Sequence, residues 1–159
     1  MTAFTRMALA LFLSLALGAG QALAAGGGGS KSTKKDDPAY AQAVKRVDTG
    51  DYAGAIPLLQ KTIAADPTNA NAHNYLGFSH RKLGDMEMAL TQYVKALELN
   101  PKHRGANEYL GELYLDLGQL DKAKERLKVL DGACFFGCDE YRELKAKIEV
   151  YQAQAKASN

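Results

Sequence analysis

Tryptophan is absent from the 159 residues, aromatic side chains make up only 8%, and 20 Lys and Arg against 18 Asp and Glu leave a formal charge of +2. A chain so poor in stacking rings and basic field offers nucleic acid neither a platform nor a steering potential, so nucleic acid is excluded as a partner. Cysteine is confined to Cys134 and Cys138, and two thiolates fall short of the four ligands of a structural zinc site. Long apolar runs are also missing. The apolar run Met7 to Leu17, unbroken by charge, has 11 residues, and a membrane span needs about 20. No nucleophile elbow, phosphate-binding glycine loop or H-E-x-x-H motif is present. With 47% hydrophobic and 24% charged residues, the chain is nevertheless of ordinary globular composition and is not disordered throughout.

Much of that apolar content lies at the start. Arg6, the apolar run and the small residues Ala22 and Ala24 are the three parts of a secretory signal, expected to be cleaved after Ala24. An uncleaved anchor is the competing reading, and it requires Gly18 to Ala25 to be added to the apolar run. No cysteine follows the run to carry a lipid. After cleavage no stable membrane insertion is expected, and the mature chain is expected in the periplasm or secreted. Residues 25–37, AGGGGSKSTKKDD, form a flexible leader whose composition cannot bury enough surface to become ordered.

Beyond the leader the sequence repeats. Gly50-Asp51, Gly84-Asp85 and Gly118-Gln119 are spaced by 34, as are Ala55, Ala89 and Ala123, and as are Asp66-Pro67 and Asn100-Pro101. Each unit reads as two amphipathic helices and a short turn. In the second unit a first helix from about Asn71 to Leu83 is closed by Gly84, the residue that best adopts a left-handed cap. A second helix, about Met86 to Leu99, places Met86, Ala89, Leu90, Tyr93, Ala96 and Leu97 on one face, and Pro101 stops it. Pro57 lies about five residues into the corresponding helix of the first unit, and a late start or slight kink is expected there. Tyr141, Leu144, Ile148 and Tyr151 then recur at helical spacing in a helix over 138–154, which suits a cap on the last unit, and 155–159 is expected to be a disordered tail.

Leu76-Gly77, Ala89 with Tyr93, and Pro101 resemble the tetratricopeptide repeat, whose unit reads W-x2-L-G-x2-Y, A-x3-F, P. His73 and His80 stand at the Trp and Tyr positions. Leu110-Gly111, Tyr114 and Ala123 with Leu127 continue the pattern, with Phe135 in place of proline, while Ala55, Leu59 and Pro67 carry it in the first unit. The resemblance implies an all-α, right-handed α-solenoid of three helix-turn-helix units, 36–69, 70–103 and 104–137, plus the C-terminal capping helix. It also implies a concave groove formed by the first helices. By register, the groove residues would be Tyr40, Val44, Val47, Asn71, Asn74, Phe78, Arg81, Lys82, Glu108, Glu112 and Leu115. Asn side chains would hold a peptide backbone, and Phe78 and Tyr40 would anchor apolar groups. Arg81 with Glu108 and Glu112 has an alternative reading as an internal ion-pair set. The carboxylate-gripping clamp of some family members is absent, because Tyr40, Val44, Tyr75, Gly105 and Tyr109 occupy its positions.

For Cys134 and Cys138, an exported setting and an even count argue for one structural disulfide fixing the turn before the capping helix. Redox or copper chemistry by the pair, and pairing between chains, are the other readings. His73 and His80 are separated by about 10.5 Å along a helix, too far to share a metal, and His103 reads as a junction residue. No metal, cofactor or catalytic residue is expected. The resulting expectation is a non-enzymatic interaction scaffold in the cell envelope for an unidentified protein or peptide, with a redox or copper-handling accessory as alternative. Homodimerisation through the open repeat ends or through Phe135 and Phe136 is a third reading.

Overall fold

The computed structural model describes residues 37–134 and 137–157. The expected signal over 1–24, all of the leader but Asp37, and Phe135 and Phe136 lie outside the described residues. Among the described residues seven helices follow one another: α1 (Pro38–Asp48), α2 (Tyr52–Ala65), α3 (Ala70–Lys82), α4 (Met86–Leu99), α5 (Arg104–Asp116), α6 (Leu120–Ala133) and α7 (Asp139–Ala157). There is no strand among the described residues.

The repeat is visible first in the helix ends. Asp37, Asp51, Asn69, Asp85 and His103 each accept a bond from a backbone N–H in the first turn of the helix they precede. Such caps satisfy donors that the helix itself leaves unpaired. Only Gln119, before α6, makes no such bond among the N-caps described. Within each pair the chain reverses through Gly50, Gly84 and Gly118, whose φ angles are +79°, +87° and +72°. A Cβ is strained in that region, which explains why glycine recurs there every 34 residues. Between pairs, the Asp66 and Asn100 carboxamide or carboxylate oxygens accept from Thr68 and Lys102 N–H, so the x-Pro sites are the same turn twice.

Small residues set how closely the helices approach. Ala55, Ala89 and Ala123 are fully buried, as are Ala43, Ala72 and Ala106. Gly77 sits against the ring of Tyr93, where a Cβ would come within 2.8 Å of the ring carbons. Gly111, one period later, lies under Leu144 of α7 in the same way. Apolar packing then falls into three successive clusters. One joins α1, α2 and α3 around Leu59 and Leu76, a second centres on Tyr93, Leu110 and Leu113, and a third joins α5, α6 and α7 around Leu130, Leu144 and Ile148.

Two expectations change. Helix α2 begins at Tyr52 and runs through Pro57, so there is no late start. The Asp51 cap, which accepts from Gly54, fixes the first turn, and Pro57 is exposed, where its ring meets no packed neighbour helix. Helix α7 ends at Ala157 rather than Gln154, so residues 155–157 of the expected tail are helical. The run QAQAKA contains good helix formers and nothing that stops it.

Candidate concave groove

Helices α1, α3, α5 and α7 pack side by side, each against the next, while α2, α4 and α6 pair with them from behind. Helix α7 therefore takes the place of the first helix of a further pair. It caps the stack and also extends the groove wall, a role that reading it as a solvating cap missed. The signal was available in its length and in a stripe shared with the other first helices.

The predicted groove residues divide by unit. Tyr40 and Val44 are half-buried on α1, and the Tyr40 ring meets Tyr75 edge-on at 6.0 Å. Burial pushes the Tyr40 phenol up to about 12. Asn71 is exposed, and its Oδ1 accepts from His103 Nε2 at 2.8 Å across the α3–α5 junction. Asn74 is only 5% exposed, yet its Oδ1 has no hydrogen-bond partner among the described residues. Phe78 is not an open anchor. It lies between Tyr52 and Tyr109, at 5.8 and 4.8 Å, with the Lys82 ammonium 5.1 Å above its ring.

Charge is concentrated where α3, α5 and α7 meet. Arg81 donates to Glu112 and, through Nε at 2.8 Å, to Asp116. Burial opposes its charge, but the two carboxylates outweigh that and hold the guanidinium pKa up. Lys147 of α7 donates to the other oxygen of Glu112. The ion-pair reading of Arg81 is thus realised with Glu112, and with Asp116 rather than Glu108. Glu108 is 4% exposed and faces Glu143 of α7 instead. Burial first, then the charges of Glu112 and Glu143, push its carboxyl up to about 8, while Lys147 pulls the other way. It holds a proton at neutral pH and can donate to Glu143.

Beside this cluster lies a cavity of about 460 Å³ whose lining includes Arg81, Leu115 and Asp116 on one side and Ala146, Val150 and Tyr151 on the other. Its volume is that of a pocket for a few side chains. A second cleft of about 290 Å³, at the start of α5, is polar and includes Asn71, Lys102, His103 and Glu140.

The histidines are all engaged. His73 contacts Gln92 Oε1 at 2.8 Å and the Pro67 carbonyl at 3.3 Å, His80 meets Asp85 at 3.1 Å, and His103 Nδ1 accepts from Ala106 N–H. No group of three or more His, Cys, Asp or Glu among the described residues is placed to hold a metal ion. Cys134 and Cys138 form a disulfide within the chain, with Cα atoms 5.6 Å apart. It ties the end of α6 to the start of α7, and Cys138, the residue before α7, is buried.

A search of curated proteins finds no match. Among solved structures, the Yersinia enterocolitica type III secretion translocator chaperone SycD is similar in fold, with TM-score 0.67, 16% identity, and 74% of this chain and 83% of that one covered. PcrH in complex with the chaperone binding region of PopD has TM-score 0.65 and 21% identity, over 74% and 90% of the two chains. The first TPR of Spaghetti (RPAP3), bound to the HSP90 peptide SRMEEVD, has TM-score 0.63 and 24% identity over 74% and 90%. Two family models match the sequence itself, tetratricopeptide repeat over residues 70–103 and TPR repeat over residues 45–84. Residues 45–103 thus carry tetratricopeptide repeats, and the described residues share a solenoid of paired helices with these proteins.

Proposed function

We propose that this protein is a non-enzymatic scaffold of the cell envelope that binds a segment of a partner protein in its concave groove. The observation that carries the reading is the groove itself: a wall of first helices, a cavity of about 460 Å³ between α5 and α7, and the buried Asn74 Oδ1 with no partner among the described residues. An unpaired buried acceptor is costly unless a ligand N–H completes it. The complexes of SycD with a peptide of the translocator YopD and of RPAP3 with an HSP90 peptide show that this fold receives peptides in other proteins, and they support the same use here. The setting rests on the sequence of residues 1–24 and on the disulfide, which an oxidising compartment preserves.

Two measurements test it. Val150 is 56% exposed at the cavity, so Val150→Asp together with Asn74→Ala should lower binding of peptides selected on the wild-type chain at least tenfold with no loss of helicity. Equal binding refutes the groove. Amino-terminal sequencing of the protein from its native cell should begin at Ala25 in a periplasmic or culture fraction. A start at Met1 in the cytosol refutes the envelope setting.

A further inference from the structure

The acidic end of the groove has more carboxyls than cations. Glu108, Glu112, Asp116 and Glu143 meet there, and the charges available to them are Arg81 and Lys147. Arg81 is divided between Glu112 and Asp116, and Lys147 is bonded to Glu112. Glu108 and Glu143 are left facing each other, with no bonded cation among the described residues. This local surplus is not a property of the chain as a whole, whose formal charge is +2. Next to it the cavity wall is aliphatic, through Leu115, Ala146 and Val150. A second and independent observation lies one repeat earlier. Asn74 occupies the position of Glu108 in the preceding unit, 34 residues before it, and keeps a buried oxygen without a donor among the described residues.

We propose that the groove selects a partner segment in which a lysine or arginine adjoins an aliphatic side chain, the cation bridging Glu108 and Glu143 and the aliphatic group entering the cavity beside Leu115 and Val150. The inference rests on the groove reading above and adds the chemistry of the occupant. Charge complementarity is what commits it. An acidic segment would meet four carboxyls, whereas a cation joins the two that have no bonded cation among the described residues, and a charge-assisted bond out of water is the strong kind. Asn74 Oδ1 would take a main-chain N–H of the same segment. Because Glu108 carries a proton that a cation makes unnecessary, binding releases that proton to solvent. The groups facing Glu108 that set this exchange are Glu112 and Tyr109 on its own helix, Tyr93 on α4, and Glu143 and Lys147 on α7.

Selection of a random dodecapeptide library on the immobilised full chain tests this directly. Enrichment of Lys or Arg next to Leu, Ile or Val is the expected result, and the Glu108→Gln, Glu143→Gln double variant should bind the selected peptides about tenfold or more weakly, since bonds to charged groups are worth about 1.5–3 kcal/mol. Calorimetry of the wild type with one selected peptide at pH 7, in two buffers of different ionisation enthalpy, should show net proton release. Peptides selected without basic enrichment, or acidic ones such as SRMEEVD binding as well as their charge-reversed forms, overturn the proposal and leave the groove standing. Absence of proton release with a selected basic peptide overturns the seat at Glu108. A library from which nothing is enriched removes the groove reading as well.

Discussion

His103 caps α5 with a ring nitrogen rather than a hydroxyl or carboxylate. Its Nδ1 accepts from Ala106 N–H at 3.1 Å while its Nε2 donates to Asn71, an arrangement available only to the neutral ring. Burial of the ring lowers its pKa, with its own backbone and Glu140 opposing. A folded-state pKa below the unfolded one means that the stabilisation is complete above the unfolded value of about 6.5 and is lost as pH falls through the folded value. Thermal unfolding should therefore show the wild type losing about 1 kcal/mol, the worth of a cap, on acidification to pH 5, relative to His103→Asp. Equal slopes for the two proteins would refute the cap. The sequence reading treats His103 as a junction residue because a histidine N-cap has no signature comparable to Ser, Thr, Asp or Asn. By contrast, Asp51, Asn69 and Asp85 are legible as caps from residue type alone. The pairing of Glu108 with Glu143 was beyond reach for a different reason: it depends on how far α7 rotates against α5, which no repeat register specifies.

At the scale of helices, the small residues carry the most information. The period aligns Ala43, Gly77 and Gly111; Ala43 is fully buried, and Gly77 and Gly111 lie where another element presses close. Gly77→Ala places a methyl 2.8 Å from the Tyr93 ring and 3.1 Å from the Ala89 carbonyl oxygen, and Tyr93 is fully buried with nowhere to move. Overpacking of this kind costs about 1–3 kcal/mol. Gly132, in α6 with no described residue within 4 Å of where its Cβ would stand, provides the opposite case, since Ala there should be neutral or stabilise by up to about 1 kcal/mol. Denaturant midpoints of the two variants should move in opposite directions. The helices themselves were legible to within a residue or so: Met86–Leu99 is both the expected and the observed second helix of the middle unit. Phe78 shows where that legibility ends. Its register is that of the groove, but aromatic neighbours from α2 and α5 take up its ring, and only packing reveals that.

For the molecule as a whole, α7 decides how the last unit ends. It covers Leu115, Ala123 and Leu130 with Leu144 and Ile148, forms one wall of the cavity, and is fastened to α6 by the Cys134–Cys138 bridge. Closing a loop of so few residues stabilises by about 2 kcal/mol in the chain-entropy model. Reduction, or Cys134→Ser with Cys138→Ser, should therefore lower the unfolding free energy by about that amount while α1 to α4 keep their amide protection; loss of protection throughout would refute a local role for the bridge.

The three apolar clusters have a consequence for how such a chain can change its length. No cluster depends on residues more than one helix pair away, and the buried alanines Ala55, Ala89 and Ala123 recur at one position of each pair. A further 34-residue unit placed between residues 103 and 104 would meet neighbours built on the same register of small residues. Groove length is then a parameter that duplication can adjust without redesigning any interface, whereas the disulfide and α7, present once, fix where the series must stop.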